Sequence, residues 1–213
     1  MSTVEEQPTV AAAPMRRLGR LGAALEWRLN RLQDEYLRGS SSARAELAKL
    51  RRGLGKPAGS VPEIWDLTIA AVPASLYADD RFDDGKPSAA EEAAHSVLTL
   101  FALHQQSMSG RAHVPEVSFG RAIGLLAQTE GRSADAVARR FMAVATAQSI
   151  DEVLVHIRGL VTQLRTAKKG FDYARLADDV SALLTPGRAQ RVRLVWGRDF
   201  YRTPNSTDPE PAE

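Results

Sequence analysis

The sequence of 213 residues has no cysteine, few aromatic residues and no long apolar run. The lack of cysteine excludes disulfides and thiolate metal sites, and it fits a reducing cytosol. No apolar stretch approaches the ~18 residues that cross a bilayer, so we expect no membrane partner. Lysine is also scarce beside alanine and arginine. Apolar residues form 44% of the chain and charged residues 25%, which is ordinary globular composition.

Catalytic motifs are missing too. The histidines at 95, 104, 113 and 156 are scattered and show no metal-ligand spacing. The segment G-L-G-K-P at 53–57 lacks the spacing and the Ser/Thr of a phosphate-binding loop, and it is typical of a helix end. Acidic pairs at 79–80, 83–84 and 178–179 indicate solvated surface rather than a cation site. We therefore predict a protein that is not an enzyme, with no metal, no cofactor and no small-molecule substrate.

What the chain does have is segregated charge. Residues 16–56 carry 11 Lys and Arg against 4 Asp and Glu, a net charge of +7. Residues 57–106 carry 2 against 8, and residues 107–202 carry 15 against 9. Two separate basic segments attract a polyanion by releasing its counterions, and this attraction carries no sequence information.

Helical periodicity recurs along the chain and no period-2 strand appears. We predict an all-α fold of two small bundles with about nine helices. The predicted organisation is a disordered leader (1–15), an N-terminal bundle (16–108), a C-terminal bundle (109–202) and a disordered acidic tail (203–213). Capping signals mark several starts, notably Ser88 with Glu91 and Ser149 with Glu152. The helices are expected near 17–37, 42–53, 61–72, 88–106, 119–130, 134–147, 150–169, 172–184 and 188–202.

Arginines lie beside the apolar faces of four of these helices, mostly without acidic partners at i±4. Their expected role is contact with phosphates, without sequence preference. The aromatic residues of the last helix, Trp196, Phe200 and Tyr201, are expected in the core rather than stacked on bases. Three alternatives remain open from the residues alone: a stand-alone helical DNA- or RNA-binding protein, a helical scaffold that docks acidic partners, and an enzyme on a helical fold.

Six segments together resemble the CasB family, the small subunit of the type I-E CRISPR Cascade complex, over roughly residues 17–202. They are A-R-A-E-L-A-K-L-R-R-G-L-G-K-P (43–57), S-F-G-R-A-I-G-L-L-A (118–127), A-V-A-R-R-F (136–141), L-V-H-I-R-G-L-V-T-Q-L (154–164), F-D-Y-A-R-L-A-D-D-V (171–180) and V-R-L-V-W-G-R-D-F-Y (192–201).

The resemblance implies a non-catalytic, cytoplasmic subunit in antiviral defence, present in two copies beside the other Cascade subunits. It implies contact with crRNA and target DNA, where the subunit stabilises the R-loop and its displaced non-target strand. Gly120 in S-F-G-R-A is expected at a close helix contact. The candidate nucleic-acid-binding residues are Arg44, Arg51, Arg52, Arg121, Arg139, Arg140, Arg158, Arg188, Arg191 and Arg193.

Overall fold

A computed structural model describes residues 16–76 and 85–202, and these contain eight α-helices and no β-strand. The all-α prediction is therefore confirmed. The predictions for the leader, the acidic pairs at 79–84 and the tail lie outside the described residues. The helices are α1 (Arg20–Leu37), α2 (Ser41–Arg52), α3 (Ala89–Gln105), α4 (Phe119–Ala127), α5 (Ala134–Thr146), α6 (Ile150–Thr166), α7 (Tyr173–Leu183) and α8 (Ala189–Tyr201).

Side-chain caps start most of these helices. Ser88 and Glu91 form the predicted reciprocal capping box at α3. Ser149 caps α6 by accepting from the N–H of Glu152, but the Glu152 carboxylate accepts from Gln148 instead of completing the box. Ser40 caps α2, which begins at Ser41, one residue before the start expected at 42. Helix starts were thus predictable to within a few residues.

The segment predicted as a third helix at 61–72 forms two short 3-10 turns, Pro62–Ile64 and Ile69–Ala71, and a third turn, Ala74–Leu76, follows Pro73. The Thr68 hydroxyl donates to the carbonyl of Ile64, a local bond that competes with regular helix geometry. Pro73 then prevents an α-helix from continuing through this point. Ile64, Leu67 and Val72 are nevertheless buried. The apolar pattern therefore identified buried positions, but the prediction of an α-helix here was wrong.

Helix α3 lies at the centre of the fold and is buried over most of its surface. It packs against α2, α6 and α7, while α1 packs on α7, α4 on α8 and α5 on α6. The buried apolar side chains extend from Leu21 to Phe200. The division into two bundles at 108/109 stays a prediction.

Two helix crossings depend on glycine. A Cβ at Gly120 of α4 would overlap the backbone carbonyl of Trp196 in α8, which confirms the predicted close contact. A Cβ at Gly22 of α1 would likewise overlap the carbonyl of Ala174 in α7. Gly22 weakens the intrinsic propensity of α1, but it allows α1 and α7 to approach closely.

The acidic pair at 178–179 is structural, in contrast to the solvated surface that the sequence indicates. The Asp178 carboxylate accepts from the backbone N–H groups of Gly19 and Gly22, so α7 caps the start of α1. The neighbouring Asp179 accepts from the indole of Trp196. Asp172, which is fully buried, caps α7, and its two carboxylate oxygens also accept from Nε and Nη2 of Arg16.

Candidate nucleic-acid interface

Most of the candidate arginines lie on the surface. In residues 16–76 and 85–202, no acidic side chain forms a salt bridge with any of seven exposed candidates. Unpaired guanidinium groups keep their full charge and their forked donors for an external anion. The seven are Arg44 on α2, Arg121 on α4, Arg139 and Arg140 on α5, Arg158 on α6, Arg188 at the start of α8, and Arg191 on α8.

A surface groove of about 330 Å³ runs between α5 and α6. Arg139 and Arg140 line it from α5, and His156 lines it from α6. The small side chains of Ala136 and Ala143 leave space between these polar groups. His156 also lies 3.6 Å from the Glu152 carboxylate, one helical turn earlier. The groove combines two unpaired cations with open access, which suits a phosphate backbone.

A second cleft, of about 270 Å³, joins segments that are about 100 residues apart in the sequence. Gly55 and Lys56, just after α2, face Arg158 of α6 across it. Glu92 and Asp151 also line this cleft, and the Glu92 carboxylate accepts from the N–H of Ala58. The fold therefore brings the two basic segments together at a cleft that carboxylates also line.

The start of α8 lacks the Ser or Asp side-chain cap that begins each of α2 to α7. Its N-cap residue, Arg188, provides no side-chain cap, and no acidic residue occurs in its first turn. Cations at a helix N-terminus oppose the helix dipole and cost about 0.3–1 kcal/mol each. Arg188 and Arg191 are thus unfavourable for the isolated helix, whereas a bound anion would interact favourably with both arginines and with the free N–H groups.

Three candidates have partners or burial within the fold. Arg52 forms a salt bridge of 2.5 Å with Glu63, and both side chains are exposed. Arg193 is half-buried and donates to the carbonyl of Ala147 at 2.8 Å, which ties α8 to the end of α5. Arg51 is half-buried beside the apolar face of α2. These contacts give Arg193 a structural task that sequence spacing alone could not indicate.

One arginine of α1, Arg31, is neutralised within the fold. Arg31 pairs with Glu35 and with Glu46 of α2, and it lies over the ring of Trp27. Burial lowers the pKa of Arg28, and the charge of Arg31 adds to this shift. The Glu46 partner is invisible to an i±4 search because it comes from another helix.

The C-terminal end of α8 carries residues that our candidate set omitted. Arg198 and Arg202 are exposed, and so is Tyr201. The prediction that Tyr201 belongs to the core is wrong, although Trp196 and Phe200 are buried as expected. Tyr201 lies on the opposite side of the helix from Trp196, and the helical period of 3.6 residues was the signal that could have shown it.

Three of the four histidines lie in the interior of the fold. His95, His104 and His113 are buried, and His104 shares a hydrogen bond with the hydroxyl of Tyr173. Burial lowers the pKa values of His104 and His113 to about 4, so both are neutral at physiological pH. His113 accepts from the N–H of Tyr173 through Nδ1. No cluster of metal-ligating side chains occurs within the described ranges.

The described part of the chain is thus an all-helical protein with exposed, unpaired arginines and three buried histidines. No helix in the described part is both long and apolar enough to cross a membrane. The profile of the CRISPR-associated protein Cse2 matches residues 46–201, which is most of the chain. The chain belongs to the Cse2 family, and the resemblance to CasB is confirmed.

Solved structures support this assignment. The chain is similar to CasB from Thermobifida fusca, with 33% identity and a TM-score of 0.71, covering 87% of this chain and 99% of that one. It is also similar to CasB from Thermus thermophilus, with 26% identity and a TM-score of 0.60, covering 86% and 99%.

A chain of a CRISPR RNA-guided surveillance complex shares the fold, with 22% identity and a TM-score of 0.64 over 86% of this chain and 94% of that chain. A comparison with curated proteins finds no match.

Proposed function

We propose that this protein is the non-catalytic small subunit of a type I-E CRISPR surveillance complex, Cascade, in the cytoplasm. Two copies act beside the other Cascade subunits, and their arginines bind the displaced non-target strand and the crRNA–target region without sequence preference. The observation that carries the proposal is the set of exposed arginines without acidic partners, in a chain of the Cse2 family.

The physical demands of an R-loop suit such a surface. Base pairing between guide and target supplies sequence specificity, so the protein needs only to bind backbones. The exchange of DNA duplex for RNA–DNA duplex is close to balanced, and a modest number of phosphate contacts can shift it. Affinity falls as salt rises, and each neutralised phosphate makes the slope of log K against log salt steeper by about 0.7 to 0.9.

Solved relatives agree with assembly into a complex. A chain with the same fold is part of a CRISPR RNA-guided surveillance complex. The similarity covers 94% of that chain, which supports a comparable role for this protein. The open groove between α5 and α6 and the basic start of α8 are the places where we expect separate backbone contacts.

The test is a charge-removal variant in which Arg139, Arg140, Arg188 and Arg191 are replaced by Gln. Nucleic-acid binding by the full chain is measured by fluorescence anisotropy over a series of salt concentrations, and target-DNA retention is measured in the reconstituted complex. We expect binding to weaken at least tenfold and the salt slope to become shallower. Circular dichroism should show an intact helical fold, because these side chains are exposed.

The matched control is Arg111→Gln. Arg111 is exposed but forms a 2.5 Å salt bridge with Asp34, so its charge is already balanced. The control should change binding much less than any one of the four unpaired arginines. A charge-removal variant that retains target DNA like the parent would contradict the proposal, as would a parent protein whose binding does not respond to salt. If the parent functions fully without Cascade partners, a stand-alone binding protein is the better description.

A further inference from the structure

Tyr201, at the C-terminal end of α8, exposes 71% of its surface. The neighbouring aromatic residues of this helix, Trp196 and Phe200, are buried. The only ring contact found for Tyr201 in the described chain is with Phe200. Packing in the core therefore explains the aromatic residues at 196 and 200. It does not explain why the exposed position 201 carries an aromatic ring.

The ring of Tyr201 is nevertheless attached to a rigid base. Its centroid lies 4.8 Å from that of Phe200, with the two planes at 87°. Phe200 in turn stacks on Phe141 of α5, at 4.6 Å and 15°. An edge-to-face contact occupies at most one face of a ring. Tyr201 is therefore oriented by the core while a flat surface stays open to solvent.

Exposed arginines lie along the same helix as this open ring. Arg191, Arg198 and Arg202 are exposed on the same side of α8, and none has an acidic partner within residues 16–76 and 85–202. Leu194, 51% exposed, lies two turns before Tyr201 on the same stripe. The one carboxylate of α8, Asp199, pairs with Arg175 of α7. The stripe therefore combines a flat aromatic ring and an apolar side chain with three free guanidinium groups.

We infer that this stripe of α8 binds single-stranded nucleic acid, with an unpaired base stacked on Tyr201 and the adjoining phosphates on the arginines. The inference rests on the proposed function and extends it from backbone contact to a base contact. Stacking needs the π-face of a base, which paired strands bury in the duplex, and it tolerates any base. Tyr201 thus gives the protein a preference for single strands that arginines alone do not provide.

The test compares Tyr201→Ala with Tyr201→Phe in the full-length protein. Binding of a short labelled oligothymidine, of the same strand with abasic residues, and of a duplex is measured by fluorescence anisotropy. Trp27→Ala is the matched control, because Trp27 is 70% exposed but lies beside Arg31, which is already paired with Glu35 and Glu46. Circular dichroism checks the fold of each variant.

We expect Tyr201→Ala to weaken binding of oligothymidine about fivefold or more, with little change in duplex binding and an unchanged salt slope. Tyr201→Phe should bind like the parent, since it keeps the ring. Removing the bases should weaken the parent and Tyr201→Phe but have little further effect on Tyr201→Ala. Trp27→Ala should leave all three affinities unchanged.

Two results would overturn the inference while the proposed function stands. One is a Tyr201→Ala variant that binds oligothymidine as tightly as the parent, in an assay where the arginine variants lose affinity. The other is unchanged binding together with lost incorporation into Cascade, which would make the stripe a protein-docking surface. If the unmodified protein bound none of these nucleic acids, the result would instead refute the proposed function and the inference together.

Discussion

The indole N–H of Trp196 donates to the carboxylate of Asp179 at 2.7 Å, which joins α8 to α7. Burial raises the pKa of Asp179 to about 6, although the Trp196 hydrogen bond and Arg175 oppose the shift. The folded protein therefore binds a proton on the Asp179 carboxylate more tightly than the unfolded chain does. The resulting stabilisation is present below the unfolded pKa and is lost as pH rises through about 6.

The buried histidines act in the opposite direction. Burial lowers the pKa values of His104 and His113 to about 4, so the unfolded chain binds more protons than the folded protein between about 4 and 6.5. Stability from these two groups is present above pH 6.5 and is lost as pH falls through this window. In the parent protein, protonation of Asp179 offsets part of the stability that the two histidines lose as the pH falls.

We predict that Asp179→Asn makes the loss of stability on acidification steeper. The amide keeps an acceptor for Trp196 but cannot take up the offsetting proton. From pH 7 to pH 4 the variant should lose up to about 3 kcal/mol relative to the parent, since each pKa unit corresponds to about 1.4 kcal/mol. Urea unfolding at both pH values measures this difference. Parallel pH profiles for the two proteins would show that Asp179 has no raised pKa.

Asp178 should matter for the start of α1. Its carboxylate replaces the side-chain cap that Gly19 cannot provide. We predict that Asp178→Ala destabilises the protein by about 1–2 kcal/mol, as loss of a helix cap does. Hydrogen exchange should accelerate in the first turn of α1. The control is Asp135→Ala, at an exposed position of α5. Equal effects from both substitutions would argue against the capping role.

How much of this structure the sequence could predict depended on the range of each interaction. The capping box at Ser88 was predictable because its two partners are three residues apart in the sequence. The contact at Gly120 was predictable because a glycine within a helix indicates a close approach. The partner of Asp178 is about 160 residues away, and only the packing of α1 on α7 brings the two together. The turns after Pro62 reflect a local competition that periodicity does not resolve.

The same limit applies to the candidate interface. Helical periodicity placed most of the candidate arginines on exposed surface. It could not show that Arg193 reaches the carbonyl of Ala147, nor that Arg52 pairs with Glu63, because both partners come from other elements. Exposure is mainly a property of one helix, whereas the pairing of a charge is a property of the whole fold.

Gly120 and Gly197 offer a matched pair of glycine substitutions in the α4–α8 contact region. A Cβ at Gly120 meets the backbone of Trp196, whereas a Cβ at Gly197 meets open space. We predict that Gly120→Ala destabilises by roughly 1–3 kcal/mol through overpacking. Gly197→Ala should stabilise α8 by up to about 1 kcal/mol through helix propensity. Thermal unfolding compares them, and a neutral Gly120→Ala would show that the two helices can separate without cost.

Chelation should have no effect on this protein. We expect the thermal midpoint and the nucleic-acid affinity to be the same with and without EDTA, because no cluster of metal-ligating residues occurs within residues 16–76 and 85–202. A bound metal would stabilise the folded state by mass action, so its removal would lower the midpoint. A midpoint that falls with EDTA and recovers with an added divalent ion would contradict this expectation.

Arg191 and Arg193 should separate binding from stability on a single helix. Arg191 is exposed and unpaired among the described residues, while Arg193 is half-buried and donates to Ala147. We predict that Arg193→Ala costs about 1–2 kcal/mol of unfolding free energy, since it leaves the end of α5 without this partner. Arg191→Ala should change stability by less than about 0.5 kcal/mol but reduce the salt slope of nucleic-acid binding by about 0.7 to 0.9. Urea unfolding and anisotropy on the same preparations give both quantities. If Arg193→Ala remains fully stable and loses affinity like Arg191→Ala, its contact with Ala147 is incidental, and Arg193 belongs to the binding surface as the sequence predicts.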